Sequence, residues 1–98
     1  MNTITHHPEE QAFKTIVDGL TAYATYSIHH GGLDIRHTVV PPEIGGRGIA
    51  AQLVKAAYDY AASRHLKAIA TCSYAVAWLQ RHPEYQGIPD TNNDKPQL

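Results

Sequence analysis

Val39-Val40-Pro41-Pro42-Glu43-Ile44-Gly45-Gly46-Arg47-Gly48-Ile49-Ala50, residues 39–50, is the stretch on which the fold turns. On its N-terminal side apolar character repeats every two residues: Leu33, Ile35, His37 and Val39 share one face of a strand, with Asp34, Arg36, Thr38 and Val40 on the other. On its C-terminal side the period becomes that of a helix. From Gly46 to about His65, Ile49, Ala50, Leu53, Val54, Ala57 and Ala61 form one stripe, while Gln52, Lys55, Asp59 and Ser63 form the opposite one. Pro41-Pro42 ends the strand, because proline cannot donate to a sheet ladder. The glycines that follow lie at a strand-to-helix junction.

Working upstream, Ala12 to Val17 reads as a strand, and Asp18-Gly19 suits the positive backbone angles of a tight hairpin turn. Leu20 to Ile28 alternates as the returning strand, with Leu20, Ala22, Ala24, Tyr26 and Ile28 on one face. His29-His30-Gly31-Gly32 supplies the next turn. Downstream, Leu66 to Thr71 is short and apolar, as a buried strand is, and Ser73 is placed to cap a helix from Tyr74 to Gln80 that Pro83 stops. The run from Pro89 to Pro96 has nothing to bury. The expectation is one α+β domain over residues 1–88, an antiparallel meander followed by a strand-helix-strand crossover and a C-terminal helix, with a disordered tail at 89–98. If the strands flanking the long helix are parallel, Val39, the glycine loop and Cys72 meet at one edge.

Bulk properties narrow the function. Ninety-eight residues with 43% hydrophobic and 17% charged composition suit a single soluble core. The eight Lys and Arg residues are scattered and the net charge is -1, which argues against nucleic acid as a partner. The polar start, Met1 to Glu10, and the absence of any long apolar run point to the cytoplasm, with no membrane partner. A single cysteine makes no internal disulfide, and without a Cys-x-x-Cys pair no metal is expected. His6-His7 and His29-His30 read as solvated surface, and Trp78, Tyr58 and Tyr60 as packing.

The chemistry centres on two features. Unpaired backbone N–H groups and the positive end of a helix dipole favour an anion at the Gly45–Ala50 loop, and glycine lets the main chain close on phosphate oxygens. The plain alternative is a flexible turn. No Gly-Lys-Ser/Thr follows, so this is not a Walker loop, and the dinucleotide spacing is absent too. Cys72 ends a strand just before a helix whose dipole favours a thiolate. It reads either as inert packing or as a reactive thiol. His37 reads either as a core histidine beside Leu33 and Ile35 or as a base paired with Cys72.

Gly45-Gly46-Arg47-Gly48-Ile49-Ala50, together with His37-Thr38-Val39-Val40-Pro41, Cys72-Ser73-Tyr74 and His82-Pro83-Glu84-Tyr85, resembles the GNAT superfamily of N-acetyltransferases, in its small single-domain YjdJ-type branch. The resemblance spans about Phe13 to Gln86. It implies that Val39, Val40, Gly45, Gly46, Arg47, Gly48, Ile49 and Ala50 hold acetyl-CoA by its pyrophosphate and adjoining chain. Gly48 and Ala50 match the family's Gln/Arg-x-x-Gly-x-Gly/Ala motif. Its first position, Arg or Gln in the family, is Gly45 here, and Arg47 partly compensates. The resemblance further implies that His37 and Cys72 are the active-site pair, with Tyr74 or Tyr85 as the acid. Acetyl would pass to a primary amine of a small molecule or protein, directly or through Cys72. The N-terminal helices and C-terminal strands of longer members are absent, which implies an open acceptor site. The alternative is a module that binds acetyl-CoA without transferring acetyl, and a third reading is a thiol redox sensor.

Overall fold

Two tight turns organise the first half of the chain in the computed structural model, which describes residues 2–89. Asp18 and Gly19, with φ of 52° and 77°, join the strands Ala12–Val17 (β2) and Leu20–His29 (β3). His30 and Gly31, at 53° and 73°, join β3 to Gly32–Val39 (β4). Two successive positive φ values match the right-handed strand twist, which is why the expected turn residues sit there. A strand not expected from the polar N-terminus, Thr5–His7 (β1), pairs antiparallel with β2 from Thr5↔Lys14 to His7↔Ala12.

The second half crosses over. Helix α1, Ile49–Ser63, leads into strand β5, Lys67–Ala70, which lies parallel to β4 as expected. Helix α2, Ser73–Arg81, leads to a two-residue strand β6, Ile88–Pro89, parallel to β5 and also unexpected. The sheet order is β1-β2-β3-β4-β5-β6. The tail expected from 89 onward therefore begins with a paired residue, and positions 90–98 lie outside the described residues. The α2 cap also differs from expectation: Cys72 is the N-cap, Ser73 is the first helical residue, and no side chain caps the helix. Among the described residues no helix is long and apolar enough to cross a membrane.

Both helices cover the same face. Ile49, Leu53, Val54, Ala57, Tyr58 and Ala61 of α1 and Ala75, Trp78 and Leu79 of α2 form one core with Phe13, Ala22, Ala24, Tyr26, Leu33, Ile35, Ala68 and Ala70 of the sheet. Burying the larger aliphatic and aromatic side chains among these contributes roughly 1.5–3 kcal/mol each before entropy is subtracted. Strand alternation sends the intervening residues to the other face, which no helix of the described residues covers. There Ile16 is 70% exposed and Val39 40%.

One irregularity repositions the expected site. Tyr26 pairs with Ile35 but Thr25 pairs with His37, so Arg36 is an extra residue, a β-bulge in β4. The bulge reverses the alternation beyond it. His37, expected on the core face with Leu33 and Ile35, lies opposite Thr25 on the helix-free face and is exposed, whereas Thr38 lies opposite Ala24 on the helix side.

Candidate active site

The glycine loop is built by a backbone that only glycine adopts cheaply at two positions. After the 3-10 turn Pro42–Ile44, which buries Ile44, Gly45 is extended, Gly46 has φ +77° and Gly48 has φ +75°. A Cβ on Gly46 or Gly48 would meet nothing within 4 Å, so the space above the loop is open. Gly48 caps α1 without a side chain, and the first turn carries no acidic residue. The first intrahelical bond there is Gln52 N–H to the Gly48 carbonyl, 3.2 Å. The amides before it are the orphan donors of a helix start, at the positive end of a fifteen-residue dipole. The geometry suits an anion. Arg47 lies beside the loop, but its guanidinium donates to Asp18 of the β2–β3 turn at 2.9 Å in an exposed pair.

Beside the loop the sheet opens. β4 and β5 pair only from Gly32↔Lys67 to Ile35↔Ala70, after which the amides of Thr71 and Cys72 both donate to the Ile35 carbonyl, at 3.1 and 3.0 Å. The main chain of Arg36 to Val39 therefore has no β5 partner in register. This splayed edge can take hydrogen bonds from an extended, amide-bearing ligand as an added strand would. On one side β4 ends at Val39 and leads on to the glycine loop, and on the other Cys72 follows β5, its thiol 3.6 Å from the Thr38 hydroxyl next to Val39.

Within the splay the thiol finds a partner that periodicity does not reveal. Half-buried Cys72 donates its S–H to the Thr38 hydroxyl, 3.6 Å away, while His37 points to the opposite face. The bulge is the cause, and Arg36 carries neither the glycine nor the proline that would have signalled it. Val40 packs against the core, whereas the Val39 side chain faces outward.

Other residues singled out earlier take part in packing and hydrogen bonding. Tyr85 donates to Asp59 at 2.7 Å, on a part of α1 roughly 15 Å from its start at 1.5 Å per residue. His82 stacks on Trp78 at 4.0 Å, and Tyr85 meets the Trp78 edge at 5.0 Å, so the His82–Tyr85 motif packs the end of α2. Tyr74, in the first turn of α2 after Cys72, is the tyrosine nearest the splay in sequence. The buried Tyr58 phenol, pushed up by burial and then by the nearby Asp34 and Cys72, donates to the Ile69 carbonyl at 2.6 Å. His6 is not surface: its ring stacks on Phe13 at 4.2 Å and bonds the Tyr26 hydroxyl at 2.6 Å. His7, Glu9 and Glu10 gather within 4.8 Å, but His7 is bonded to Thr5 and Glu10 is paired with Lys14.

Comparison with known proteins fits this architecture. The family model for GCN5-related N-acetyltransferases matches residues 12–88. Protein NATD1 of Xenopus tropicalis is 32% identical over 83 residues, 82% of this chain and 76% of that protein, and NATD1 of Mus musculus matches to the same extent. NATD1 of Homo sapiens is 43% identical over 51 residues, 52% of this chain and 45% of that protein. The solution structure of a GCN5-like candidate N-acetyltransferase from Staphylococcus aureus is 30% identical, superimposes with a TM-score of 0.69, and covers 95% of this chain and 96% of its own. With a matching model across β2 to β6 and a shared fold, the chain belongs to the GCN5-related N-acetyltransferase family.

Proposed function

We propose that this protein is an acetyl-CoA-dependent N-acetyltransferase acting on a primary amine, with residues 1–88 as the coenzyme-binding domain. The observation that carries the reading is the uncapped start of α1, with open space above Gly46 and Gly48, set directly beside the β4–β5 splay. In this reading the amides from Gly45 to Ala50 hold the pyrophosphate, and the β4 edge around Val39 and Val40 holds the amide-bearing arm. The thioester then lies near Cys72 and Thr38. Bound acetyl-CoA supplies an activated acyl carbon. The amine nitrogen bonds to that carbon, the C–S bond breaks, and the sulfur leaves with the electron pair and takes a proton. Cys72, held by Thr38, is placed to give that proton or to accept the acetyl group first. The acceptor approaches over the helix-free face, where His37 is exposed. Assignment to the YjdJ-type branch and a cytoplasmic setting belong to the same proposal.

One observation favours the second reading, a module that binds the coenzyme without transfer: His37 and Cys72 lie on opposite faces rather than as a ready acid–base pair. Calorimetric titration with acetyl-CoA, followed by mass spectrometry of the sample and an assay on a panel of primary amines, separates the two. Binding with amide product supports the enzyme. Binding without product on any amine supports the module, and no binding at millimolar ligand overturns both.

A further inference from the structure

Asp34, in the middle of β4, is 0% exposed, although the apolar Leu33 and Ile35 beside it show what packing alone would select. Its Oδ2 has three partners: it accepts from Thr71 Oγ1 at 2.9 Å and from Arg36 Nη1 at 3.2 Å, and it shares a hydrogen bond of 3.0 Å with His29 Nε2 whose direction follows the ring tautomer. Its Oδ1 is buried and has no donor among the described residues. A carboxylate with one saturated and one empty oxygen is a poor structural filler, because an unmet buried acceptor is costly. Tyr58 lies near enough to sense the Asp34 charge, so among the described residues His29 of β3, Arg36 of β4 and Tyr58 of α1 are charged or titratable groups recorded against it.

The chain of contacts continues outward from His29. Its Nδ1 lies 2.8 Å from Nδ1 of His30, so one of these nitrogens donates and the other accepts. A proton moves outward when Nδ1–H of His29 donates to Nδ1 of His30 and Nε2 of His29 takes the proton that Thr71 has given to Oδ2 of Asp34. His30 is exposed at the tip of the β3–β4 turn. At the other end Thr71 is exposed beside Cys72, where β5 leaves β4. Three hydrogen bonds thus run from the splay, through the sheet, to solvent at the turn. Every member both gives and takes a proton: a hydroxyl, a carboxylate and two imidazoles.

We propose that Thr71, Asp34, His29 and His30 form a proton relay from the acyl-transfer cleft to solvent, an inference that rests on the acetyltransferase reading. The balance of that reaction calls for one. A primary ammonium loses two protons on becoming an amide: one goes to the departing thiolate and the other must leave the protein, so ammonium plus acetyl thioester gives amide, thiol and one proton. Thr71 is exposed next to Cys72, where β5 leaves β4 and that second proton would depart, and His30 is exposed to the solvent that would receive it.

The test uses the full chain with acetyl-CoA and butylamine, spermidine and a lysine-containing peptide as acceptor probes. If the wild-type protein forms no amide product with any of them, the activity itself is overturned and the relay with it. If it does, His29→Ala and His30→Ala are expected to bind acetyl-CoA within twofold of wild type while kcat falls roughly 10- to 100-fold, the low end of a lost proton-transfer step. Added imidazole should restore part of the His29→Ala loss, and Asp34→Asn should show the same fall with a flattened pH profile. The exposed His30 variant keeps the test decisive if the buried Asp34 variant fails to fold. Unchanged kcat in both histidine variants, or a fall that imidazole does not relieve and pH does not modulate, would show that the chain is only a structural tie.

Discussion

Replacing Gly48 by glutamate separates folding from binding at the centre of the site. Gly48 sits at φ +75°, where an L-residue carries roughly 1–2 kcal/mol of strain, but a Cβ there meets no atom within 4 Å, so no clash adds to it. A carboxylate at the start of α1 recovers about 0.3–1 kcal/mol from the helix dipole. The net cost is therefore about 0–2 kcal/mol, and at about 4–8 °C per kcal/mol for a domain of this size the protein still folds with a modestly lower Tm. Binding should respond far more. Hydrogen bonds from amides to a charged phosphate are worth about 1.5–3 kcal/mol each, and a carboxylate occupying their seat removes at least two. The expected loss is roughly 10²- to 10⁴-fold in acetyl-CoA affinity. Gly48→Ala is the control: it carries the strain without the charge, so it should lose similar stability and much less affinity. The measurements are thermal denaturation and calorimetric titration of all three proteins. Wild-type affinity in a folded Gly48→Glu protein would refute the assignment of the loop, and Gly46→Glu, at φ +77°, repeats the test independently.

Two further outcomes are expected. His6 is held below its ordinary value first by burial, then by the charges of His7 and Arg64, with Glu9 opposing them. The folded protein therefore binds fewer protons there than the unfolded chain, so stability is complete above the unfolded value of 6.5 and declines as pH falls below it. Tm followed against pH should show a shallower acid decline in His6→Gln, and an identical slope would remove His6 from the account. At Gly32 an added Cβ falls 2.7 Å from Ile69 Cγ1 and 3.1 Å from the Lys67 carbonyl, so Gly32→Ala should cost about 1–3 kcal/mol in urea unfolding. Combining it with Ile69→Ala should recover part of that cost, and strict additivity would contradict the packing argument.

The sequence was most legible where local chemistry and tertiary structure agree. The boundaries of β2, the Asp18-Gly19 turn and the α1 stripe follow from periodicity and turn chemistry alone. The single crossover that sets β5 parallel to β4 after α1 follows from element order. Two short edge strands were hidden, because β1 is polar and three residues long and β6 has only two, too few for a period to show. The bulge was hidden for a different reason: Leu33, Ile35, His37 and Val39 alternate without a break, and only the pairing with β3 and the double amide contact on the Ile35 carbonyl insert Arg36 as an extra residue. The consequence reached the site, exchanging His37 for Thr38 as the neighbour of the thiol. The Asp34 chain escaped notice because its members read as a turn and as an outward strand position. Their convergence on one carboxylate oxygen depends on β5 bringing Thr71 from thirty-seven residues away.

The strand order has a consequence for how the molecule is made. Because the sheet runs β1 to β6 in chain order, each pair joins neighbours, yet the closures differ in length. β2, β3 and β4 close through two-residue turns, whereas β5 reaches β4 only after the whole of α1. Short closures cost less chain entropy and form sooner, so the meander is expected to form before the crossover. A chain arrested at the meander has neither the seat above Gly48 nor the splay, and Cys72 is not yet beside Thr38. The site thus comes into being only with the β4–β5 pairing. A ligand held there recognises only finished molecules, and at a hundred times its dissociation constant it deepens their stability by about 2.7 kcal/mol. Under the proposed function that ligand is acetyl-CoA, and its supply would set how long the chain survives as well as how fast it works.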